Sequence, residues 1–310
     1  IQGTTYTPIA FLPFSIPVIS HFGSTTRGFL DAVPRSQSLE ADLRKIWMEL
    51  RRMNVIRELN IRTRRPLRDV AEIEELVSSR ADAVIATSKI VQADLERAGV
   101  DPQKIYHVPN AIEDYWFTGP VAAVQSPPSI VFLGRIGNDV FTLKLKGIDR
   151  LIDLYRHGSN VAKHTIGITT NKQLVSWLNQ SIPNHHFYPN LKKDRIPELL
   201  RRFAGSVLLI PSRYEGFSLS LIEGMSQGLI PITYPVGVAP EIIVDGQNGF
   251  LMTSQKQGKQ ILDFVLNLSD AERTRLAQHA QDTAKRFAST EISRRLLEVY
   301  RVVIKKRPAG

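Results

Sequence analysis

Hydrophobic residues follow two patterns that alternate along this chain. Short continuous apolar runs, such as residues 207–210, predict buried strands of a parallel sheet. Between these runs, apolar residues recur every three or four positions, which predicts amphipathic helices. Strands are predicted at 17–20, 82–87, 104–108, 129–134, 165–169, 186–188 and 207–210, and helices at 39–60, 71–79, 89–98, 147–156, 172–179, 195–203, 219–225, 257–268, 270–287 and 290–304. Such alternation is typical of βαβ units and of α/β domains.

The predicted elements fall into two groups that are separated by a stretch rich in proline and glycine. Residues 111–128 contain Gly119, Pro120, Pro127 and Pro128, and we interpret them as a linker. Residues 1–110 then form a first domain, residues 129–288 a second domain, and residues 289–310 a final helix.

The helix predicted at 39–60 has an apolar stripe and basic flanks. Its stripe consists of Leu39, Leu43, Ile46, Leu50 and Met53, with Trp47 beside it, and its other faces carry Arg44, Lys45, Arg51 and Arg52. One interpretation is that the stripe packs on the sheet; the other is that the helix contacts an anionic membrane surface. Acidic residues among the basic ones favour packing on the sheet. The nearby cluster Arg62, Arg64, Arg65 and Arg68, interrupted by Pro66, is interpreted as a loop surface.

Composition narrows the class of protein. The chain has 310 residues, of which 43% are hydrophobic, and this suits two soluble globular domains. No apolar run approaches the roughly 20 residues of a membrane-spanning helix. Residues 9–19 are broken by Pro13 and Pro17 and have no basic leader, so they do not resemble a signal peptide. The absence of cysteine suits a reducing compartment, and a cytoplasmic location is expected.

The net charge of +10 is distributed unevenly. Residues 1–125 contain 15 basic and 15 acidic residues, whereas residues 126–310 contain 25 basic and 15 acidic residues. A positive field over the second half would steer an anionic ligand towards it. Nucleic acid is disfavoured as that ligand, because the chain has no nucleic-acid recognition motif and no basic run interleaved with aromatic residues.

The stretch from 207 to 225 carries the candidate chemistry. The apolar strand leads into a loop and then a helix, and open α/β sheets bind their ligands where strands end in this way. We expect Ser218 to cap the helix, whose first N–H groups could hold a phosphate. Glu215 and Glu223 flank that position, and carboxylates accept hydrogen bonds from sugar hydroxyls. The alternative is that Glu215 is a turn residue and Glu223 a solvated helix residue.

A series of short motifs in this region resembles a known family. Glu215-Gly216-Phe217 followed by Glu223 is similar to the E-x7-E signature of retaining glycosyltransferases of family GT4. The similarity continues through the segments 228–231, 240–243 and 245–251. The resemblance implies an α/β protein of GT-B type, with two Rossmann-like domains whose parallel sheets face each other across a cleft.

The resemblance also implies that the first domain is incomplete. The segment His21-Phe22-Gly23 is similar to one that lies well inside the N-terminal domain of the family, after several βα units. The chain would then be a fragment, half of a split protein, or a member with a reduced first domain. By the same resemblance, Ile292, Leu296, Val299 and Val303 would let the last helix cross back onto the first domain.

Individual site residues follow from the resemblance. Arg135 and Lys146 would bind the diphosphate of the donor without a metal, with Lys144 as a substitute for Lys146 because residues 136–145 make an unusually long gap. Glu215 would contact the donor sugar and Glu223 the ribose. His21 would lie near the sugar as a catalytic residue, or serve only in packing or hydrogen bonding. The backbone of Gly216, Phe217, Ser218 and Leu219 would hold sugar and phosphate. The sequence at 169–172 lacks the usual glycine-rich turn, so the base is not predicted from it.

The predicted function is transfer of a sugar from a nucleotide-sugar donor to an acceptor hydroxyl, with retention of configuration. A UDP-sugar donor and a glycan or glycolipid acceptor of surface polysaccharide synthesis are favoured, and no cofactor or metal is expected. The main alternative is a non-catalytic sugar-nucleotide-binding subunit that partners another transferase. A GT-B epimerase or phosphorylase is a further alternative.

Overall fold

The computed structural model describes residues 1–117 and 123–306. Residues 118–122, which include Gly119 and Pro120 of the predicted linker, and residues 307–310 lie outside the described residues. The first half contains, in order, β1 (Gln2–Thr4), β2 (Ile19–Phe22), α1 (Thr26–Ala32), α2 (Ala41–Arg52), α3 (Arg65–Arg80), β3 (Ala83–Ala86), α4 (Lys89–Arg97) and β4 (Ile105–His107).

The second half contains, in order, β5 (Ile130–Arg135), α5 (Val140–Leu145), α6 (Ile148–His157), β6 (Lys163–Ile168), α7 (Lys172–Ser181), β7 (His185–Pro189), α8 (Ile196–Arg201), β8 (Val207–Ile210), α9 (Leu219–Ser226), β9 (Ile230–Thr233), α10 (Ala239–Ile242), β10 (Phe250–Leu251), α11 (Gln255–Leu266), α12 (Asp270–Lys285) and α13 (Ser289–Lys306). Among the described residues, no helix is long and apolar enough to cross a membrane.

The first sheet has four strands in the order β1-β2-β3-β4, and all of them are parallel. One face packs against α4, where Val84 and Phe22 contact a cluster that includes Val91. The other face packs against α13, whose Ile292 and Val299 join a cluster with Ile85. The last helix therefore lies on the first sheet.

The second sheet has six parallel strands in the order β10-β9-β8-β5-β6-β7. The chain starts in the middle at β5, adds β6 and β7 on one side, and then returns to add β8, β9 and β10 on the other. The strand order thus reverses between β5 and β8. At such a switch point the loops diverge and leave a crevice beyond the carboxyl ends of the strands, which is where ligands bind in open α/β sheets. The architecture is two parallel-sheet, Rossmann-like α/β domains.

Helix α2 does not pack as the sequence predicts. Its apolar stripe is buried, but against α6 of the second domain and not on the first sheet. Trp47 is fully buried in this contact, and Glu49 accepts hydrogen bonds from Arg156 at 2.8 and 2.9 Å. Met53, predicted to belong to the stripe, is 55% exposed. The helix ends at Arg52, well before residue 60, and Asn54 then adopts a positive φ of 56°.

Candidate active site

A cleft with a volume of about 560 Å³ lies between the two domains, at the carboxyl ends of β5 and β8. Its walls come mostly from the second domain, and the first domain contributes Gly23, Ser24, Phe29 and Asn110. Eight of the nine site residues predicted from the sequence line this cleft: Arg135, Lys146, Glu215, Gly216, Phe217, Ser218, Leu219 and Glu223. The ninth, His21, is not among the lining residues.

Two cationic residues, Arg135 and Lys146, line the cleft. Arg135 is the last residue of β5 and forms no salt bridge within the described ranges 1–117 and 123–306. The Lys146 ammonium donates to Glu215 Oε1 at 2.7 Å, and the same oxygen accepts a hydrogen bond from the Ser212 hydroxyl at 2.7 Å. Both positive side chains can therefore reach an anion in the cleft, and one of them is oriented by a carboxylate.

The position of Lys146 is fixed by the glycine that follows it. Gly147 has a φ of 66°, and a Cβ atom there would lie 2.1 Å from the carbonyl oxygen of Pro211. Only glycine permits both this conformation and this contact. The long gap after Arg135 is filled by α5, and Lys144 at its end points away from the cleft, towards Pro34, Ser36 and Asn60. Lys144 thus does not replace Lys146.

A buried salt bridge supports the loop that carries Glu215. Arg213 donates to Asp149 at 2.6 and 2.8 Å, and both side chains are at most 5% exposed. Arg213 also donates to the carbonyl of Lys144 at 2.7 Å, which ties the loop to the end of α5. Sequence reasoning missed Arg213, because its partner Asp149 lies 64 residues away in the sequence.

The first domain touches the Glu215 loop directly. A Cβ atom on Gly216 would lie 1.8 Å from the carbonyl oxygen of Gly23, so residue 216 must be glycine for the domains to meet. The Ser88 hydroxyl donates to the carbonyl of Gly216 at 2.5 Å.

Tyr214 makes a second connection between the domains. Its hydroxyl donates to Asp94 at 2.7 Å, and the hydroxyl of Thr25 also donates to Asp94 at 2.7 Å. Burial raises the pKa of the Tyr214 phenol, with the negative charge of Asp94 as the next cause. Neither contact was expected from the sequence, because Tyr214 is more than a hundred residues away from both Thr25 and Asp94.

Ser218 does not cap α9, contrary to the sequence prediction. Its φ of 77° places it in the left-handed region, and its side chain accepts no capping hydrogen bond. The hydroxyl is buried without a partner among the described residues. A residue in this conformation cannot direct its side chain back to the first N–H groups of the helix as an extended N-cap residue does. The side chain of Ser218 therefore accepts no hydrogen bond from these N–H groups.

Glu223 lies on α9 and also lines the cleft. Burial raises its pKa from 4.5 to about 7; Lys193 lowers it and Glu113 raises it by smaller amounts. Its carboxylate has no salt bridge within residues 1–117 and 123–306, and Lys193 is paired with Glu113 at 2.5 Å. Lys193 also lines the cleft and was missed by sequence reasoning, since a lysine in a surface loop carries no local signal.

His21 lies on β2 and its ring is turned towards β1. Its Nδ1 is 3.1 Å from the side-chain nitrogen of Gln2, and Tyr300 of α13 donates to the oxygen of the same Gln2 side chain. Burial lowers the pKa of His21. Its Nε2 is buried without a hydrogen-bond partner among the described residues.

The histidine pair 185–186 lies on β7, and His185 has hydrogen-bond partners on two neighbouring elements. His185 interacts with Thr165 at 2.9 Å and with Asn179 at 2.8 Å. In the part of the chain that the structure describes, no group of three or more His, Cys, Asp or Glu residues is arranged to hold a metal ion.

Proteins of known sequence resemble this chain over most of its length. It is 26% identical over 259 residues to a D-inositol 3-phosphate glycosyltransferase from Xylanimonas cellulosilytica, covering 76% of this chain and 60% of the relative. It is 24% identical over 271 residues to an alpha-maltose-1-phosphate synthase from Mycolicibacterium smegmatis, covering 74% of this chain and 66% of that protein. The chain thus spans about three fifths to two thirds of the length of these relatives.

Solved structures with the same fold are GT-B glycosyltransferases. A sucrose-phosphate synthase from Thermosynechococcus elongatus superposes with a TM-score of 0.74 at 15% identity, over 99% of this chain and 74% of that one. The Anabaena protein HepE, in complex with UDP-glucose, superposes with a TM-score of 0.63 at 18% identity, over 92% of this chain and 72% of that one. The GT-B fold expected from the sequence is confirmed.

The family itself is defined by the sequence of the second domain. The profile of the family described as "Glycosyl transferases group 1" matches residues 122–283, which is more than half of the chain and includes every cleft residue from Leu133 to Glu223. The chain belongs to the group 1 glycosyltransferases.

Proposed function

We propose that this protein transfers a sugar from a nucleotide-sugar donor to a hydroxyl group of an acceptor. The observation that carries the proposal is the arrangement of Arg135, Lys146, Glu215 and Glu223 in one cleft at the switch point of the second sheet. The cations suit a diphosphate and the carboxylates suit sugar hydroxyls. A nucleotide-sugar presents both groups.

The chemistry follows from this placement. The bond between the anomeric carbon and the diphosphate oxygen breaks, and the electron pair stays on the diphosphate, where Arg135 and Lys146 stabilise the added negative charge. The acceptor oxygen forms the new bond to the anomeric carbon, and its proton passes to the leaving diphosphate. We propose that the acceptor attacks from the face that the diphosphate leaves, which retains configuration. Because the two cations supply the charge stabilisation, the proposed transfer uses no metal.

The first N–H groups of α9 supply a further site for the diphosphate. They lie at the cleft beside Ser218 and Leu219, and the helix dipole favours negative charge there. The hydroxyl of Ser218, buried without a partner among the described residues, is available to the same oxygens. These groups support Ser218 and Leu219 as donor-binding residues.

A UDP-sugar is the proposed donor, and a glycan or glycolipid of the cell surface is the proposed acceptor. Several neighbours support this choice: HepE is solved with UDP-glucose, and WaaG, with a TM-score of 0.60 and 17% identity, is described as involved in lipopolysaccharide biosynthesis. A protein 25% identical over 227 residues is described as lying in the cps region of Klebsiella pneumoniae. We place the protein in the cytoplasm, where nucleotide-sugars are available.

Calorimetric titration with UDP-, GDP- and ADP-sugars tests the donor site. We expect one UDP-sugar to bind, and Arg135→Ala and Glu223→Ala each to weaken it, whereas Arg51→Ala, an exposed arginine of α2, leaves it unchanged. Failure of every nucleotide-sugar to bind would refute the proposal. Release of UDP in the presence of a panel of sugar glycosides then separates a transferase from a binding subunit, which would bind the donor without releasing UDP.

A further inference from the structure

A second cavity, of about 320 Å³, lies between the two domains apart from the donor cleft. Three segments line it: 33–37 and 60–68 of the first domain, and 140–144 of the second. It shares no lining residue with the donor cleft. An apolar cluster that contains Val33, Phe141, Leu145 and Tyr214 separates the two cavities, since the first two residues face this cavity and the last two face the donor cleft. We call this second cavity the basic pocket.

The basic pocket is lined by six cationic side chains and by no acidic one: Arg35, Arg62, Arg64, Arg65, Arg68 and Lys144. Across residues 1–117 and 123–306, Arg62 is the only one of the six with a salt bridge, to Glu58 at 2.9 Å. Arg64 donates instead to the carbonyl oxygens of Leu30 at 2.9 Å and Val33 at 2.7 Å. The positive charges of the pocket are therefore largely uncompensated by acidic side chains of the described residues.

Lys144 is the buried member of this group, and its surroundings disfavour its positive charge. Lys144 is 1% exposed, and its ammonium donates to the carbonyl of Pro34, to Ser36 Oγ and to Asn60 Oδ1, all of which are neutral. Burial lowers its pKa to about 8, the charges of Arg213 and Arg64 act in the same direction, and the carboxylate of Asp149 opposes them. Arg64 is destabilised likewise, because burial and the neighbouring Arg35 and Arg68 lower its pKa. An anion in the pocket would relieve this repulsion.

Helix α3 carries positive charge at its N-terminus, beside the basic pocket, and this charge is unfavourable for the helix. Arg64, Arg65 and Arg68 lie at the N-terminus of α3, where the helix dipole favours acidic residues, and the first turn contains no acid. The N-cap residue Arg64 also makes no side-chain capping bond. The sequence predicts a loop surface here, but Pro66 occupies the first turn of the helix, where proline is tolerated. An anion at this N-terminus would interact favourably with both the dipole and the arginines.

We propose that the basic pocket binds a multiply charged oxyanion, namely a phosphate or pyrophosphate group carried by a second ligand. The inference goes beyond the proposed sugar transfer, because the pocket is separate from the donor cleft. Guanidinium groups bind such oxyanions in a bidentate manner, and a volume of about 320 Å³ accommodates the group together with part of the molecule that carries it. Since both domains line the pocket, the ligand would also hold them together.

Calorimetric titration of the intact protein with pyrophosphate tests the proposal. UDP is added first at saturating concentration, so that the donor cleft is occupied. We expect Arg35→Gln combined with Arg68→Gln to lower the affinity for pyrophosphate by at least about tenfold, because each removes a charge-assisted contact. Both arginines are exposed, so the fold should persist, and an unchanged melting temperature verifies this. The matched control is Arg51→Gln combined with Arg52→Gln on the exposed face of α2.

The outcomes separate this inference from the proposed function. Unchanged UDP affinity in the Arg35→Gln, Arg68→Gln variant, together with weakened pyrophosphate binding, supports a separate site. Absence of pyrophosphate binding to the unmodified protein, or equal weakening by the α2 control, overturns it. Arg135→Gln tests the donor site alone, and the expected result is loss of UDP binding.

A vesicle experiment identifies the source of the oxyanion. If vesicles that contain phosphatidic acid bind the protein and pyrophosphate releases them, the group belongs to a lipid headgroup. If pyrophosphate binds and the vesicles do not, the ligand is soluble. If the vesicles bind equally well to the Arg35→Gln, Arg68→Gln variant, they do not use the pocket, and a lipid source is refuted.

Discussion

At the scale of single residues, backbone conformation decides the role of the loop before α9. Serine is a residue type that often caps helices, and the position of Ser218 just before α9 predicts that role. Its φ of 77° prevents capping, and its hydroxyl is buried in the cleft without a partner among the described residues. Left-handed conformations are costly for residues with a Cβ atom and cheap for glycine. A strained residue that persists at a ligand-binding loop is consistent with a functional constraint.

Ser218→Gly is expected to stabilise the protein. Relief of the left-handed strain gains about 1–2 kcal/mol, from which the larger chain entropy of glycine in the unfolded state subtracts about 0.5–1 kcal/mol. Urea unfolding should therefore show a small increase in the free energy of unfolding. Ser220→Gly, two residues later inside α9, is the control and should lower that free energy by about 0.5–1 kcal/mol. A decrease in both variants would contradict the argument from strain.

The titration of Glu223 should make stability depend on pH in an unusual direction. Because its pKa is raised from 4.5 to about 7, the folded state binds the proton more tightly than the unfolded state. The free energy of unfolding should then fall as the pH rises from 4.5 to about 7 and remain low above that window. Glu223→Gln should abolish this decrease in the free energy of unfolding. Urea unfolding at about pH 5 and about pH 8 measures it.

A surface carboxylate provides the comparison for that measurement. Glu198 lies exposed on α8. Glu198→Gln should leave the pH dependence of the unmodified protein in place, whereas Glu223→Gln should make it flatter between the two pH values. Parallel pH profiles in all three proteins would show that Glu223 does not have the raised pKa.

At the scale of secondary structure elements, local patterns predict most strands and helices of both domains but miss some in each, among them α1 in the first and α5, β9 and β10 in the second. The runs at 129–134 and 207–210 correspond to β5 and β8, and the motifs after them place Arg135 and Glu215 at the same cleft. The sequence pattern does not decide between alternatives that depend on contacts between residues far apart in the sequence. Lys144 and Lys146 differ by two positions, and only the course of α5 shows that one faces the basic pocket and the other the donor cleft.

The turn between α5 and α6 is an element whose substitution should affect both stability and binding. Gly147→Ala combines a left-handed φ with a Cβ atom 2.1 Å from the Pro211 carbonyl oxygen, so either α6 or the Glu215 loop must move. We expect a loss of more than about 2 kcal/mol of stability, measured by urea unfolding, and weakened UDP-sugar binding because Lys146 is displaced.

A second glycine separates the two causes of that loss. Gly246 has a similar φ of 73°, but a Cβ atom at this position would have no neighbour within 4 Å. Gly246→Ala should therefore cost only the conformational strain, about 1 kcal/mol, and leave binding unchanged. Equal losses in the two variants would show that the contact with Pro211 is unimportant.

At the scale of the whole molecule, the two domains are not independent segments of the chain. Helix α13 follows the second domain but packs on the first sheet, and α2 precedes the second domain but packs on α6. The amphipathic stripe of α2 favoured packing on the protein over contact with a membrane surface, but a stripe does not specify which surface covers it. The first sheet ends with β4 at His107 and the second begins with β5 at Ile130, whereas α2 and α13 each pack on the domain from the other part of the chain.

Trp47→Ala tests whether α2 joins the domains into one cooperative unit. Removing this fully buried side chain should cost about 3–5 kcal/mol, and because α2 connects segments of the first domain to α6 of the second, both should lose stability together. Urea unfolding followed by far-ultraviolet circular dichroism should shift to lower urea as a single transition. Met48→Ala, on the exposed side of the same helix at 50% exposure, should have little effect. Two separate transitions in Trp47→Ala, with one at its original position, would mean that α2 stabilises only the second domain, and the interlocking of the helices would then be structural without being cooperative.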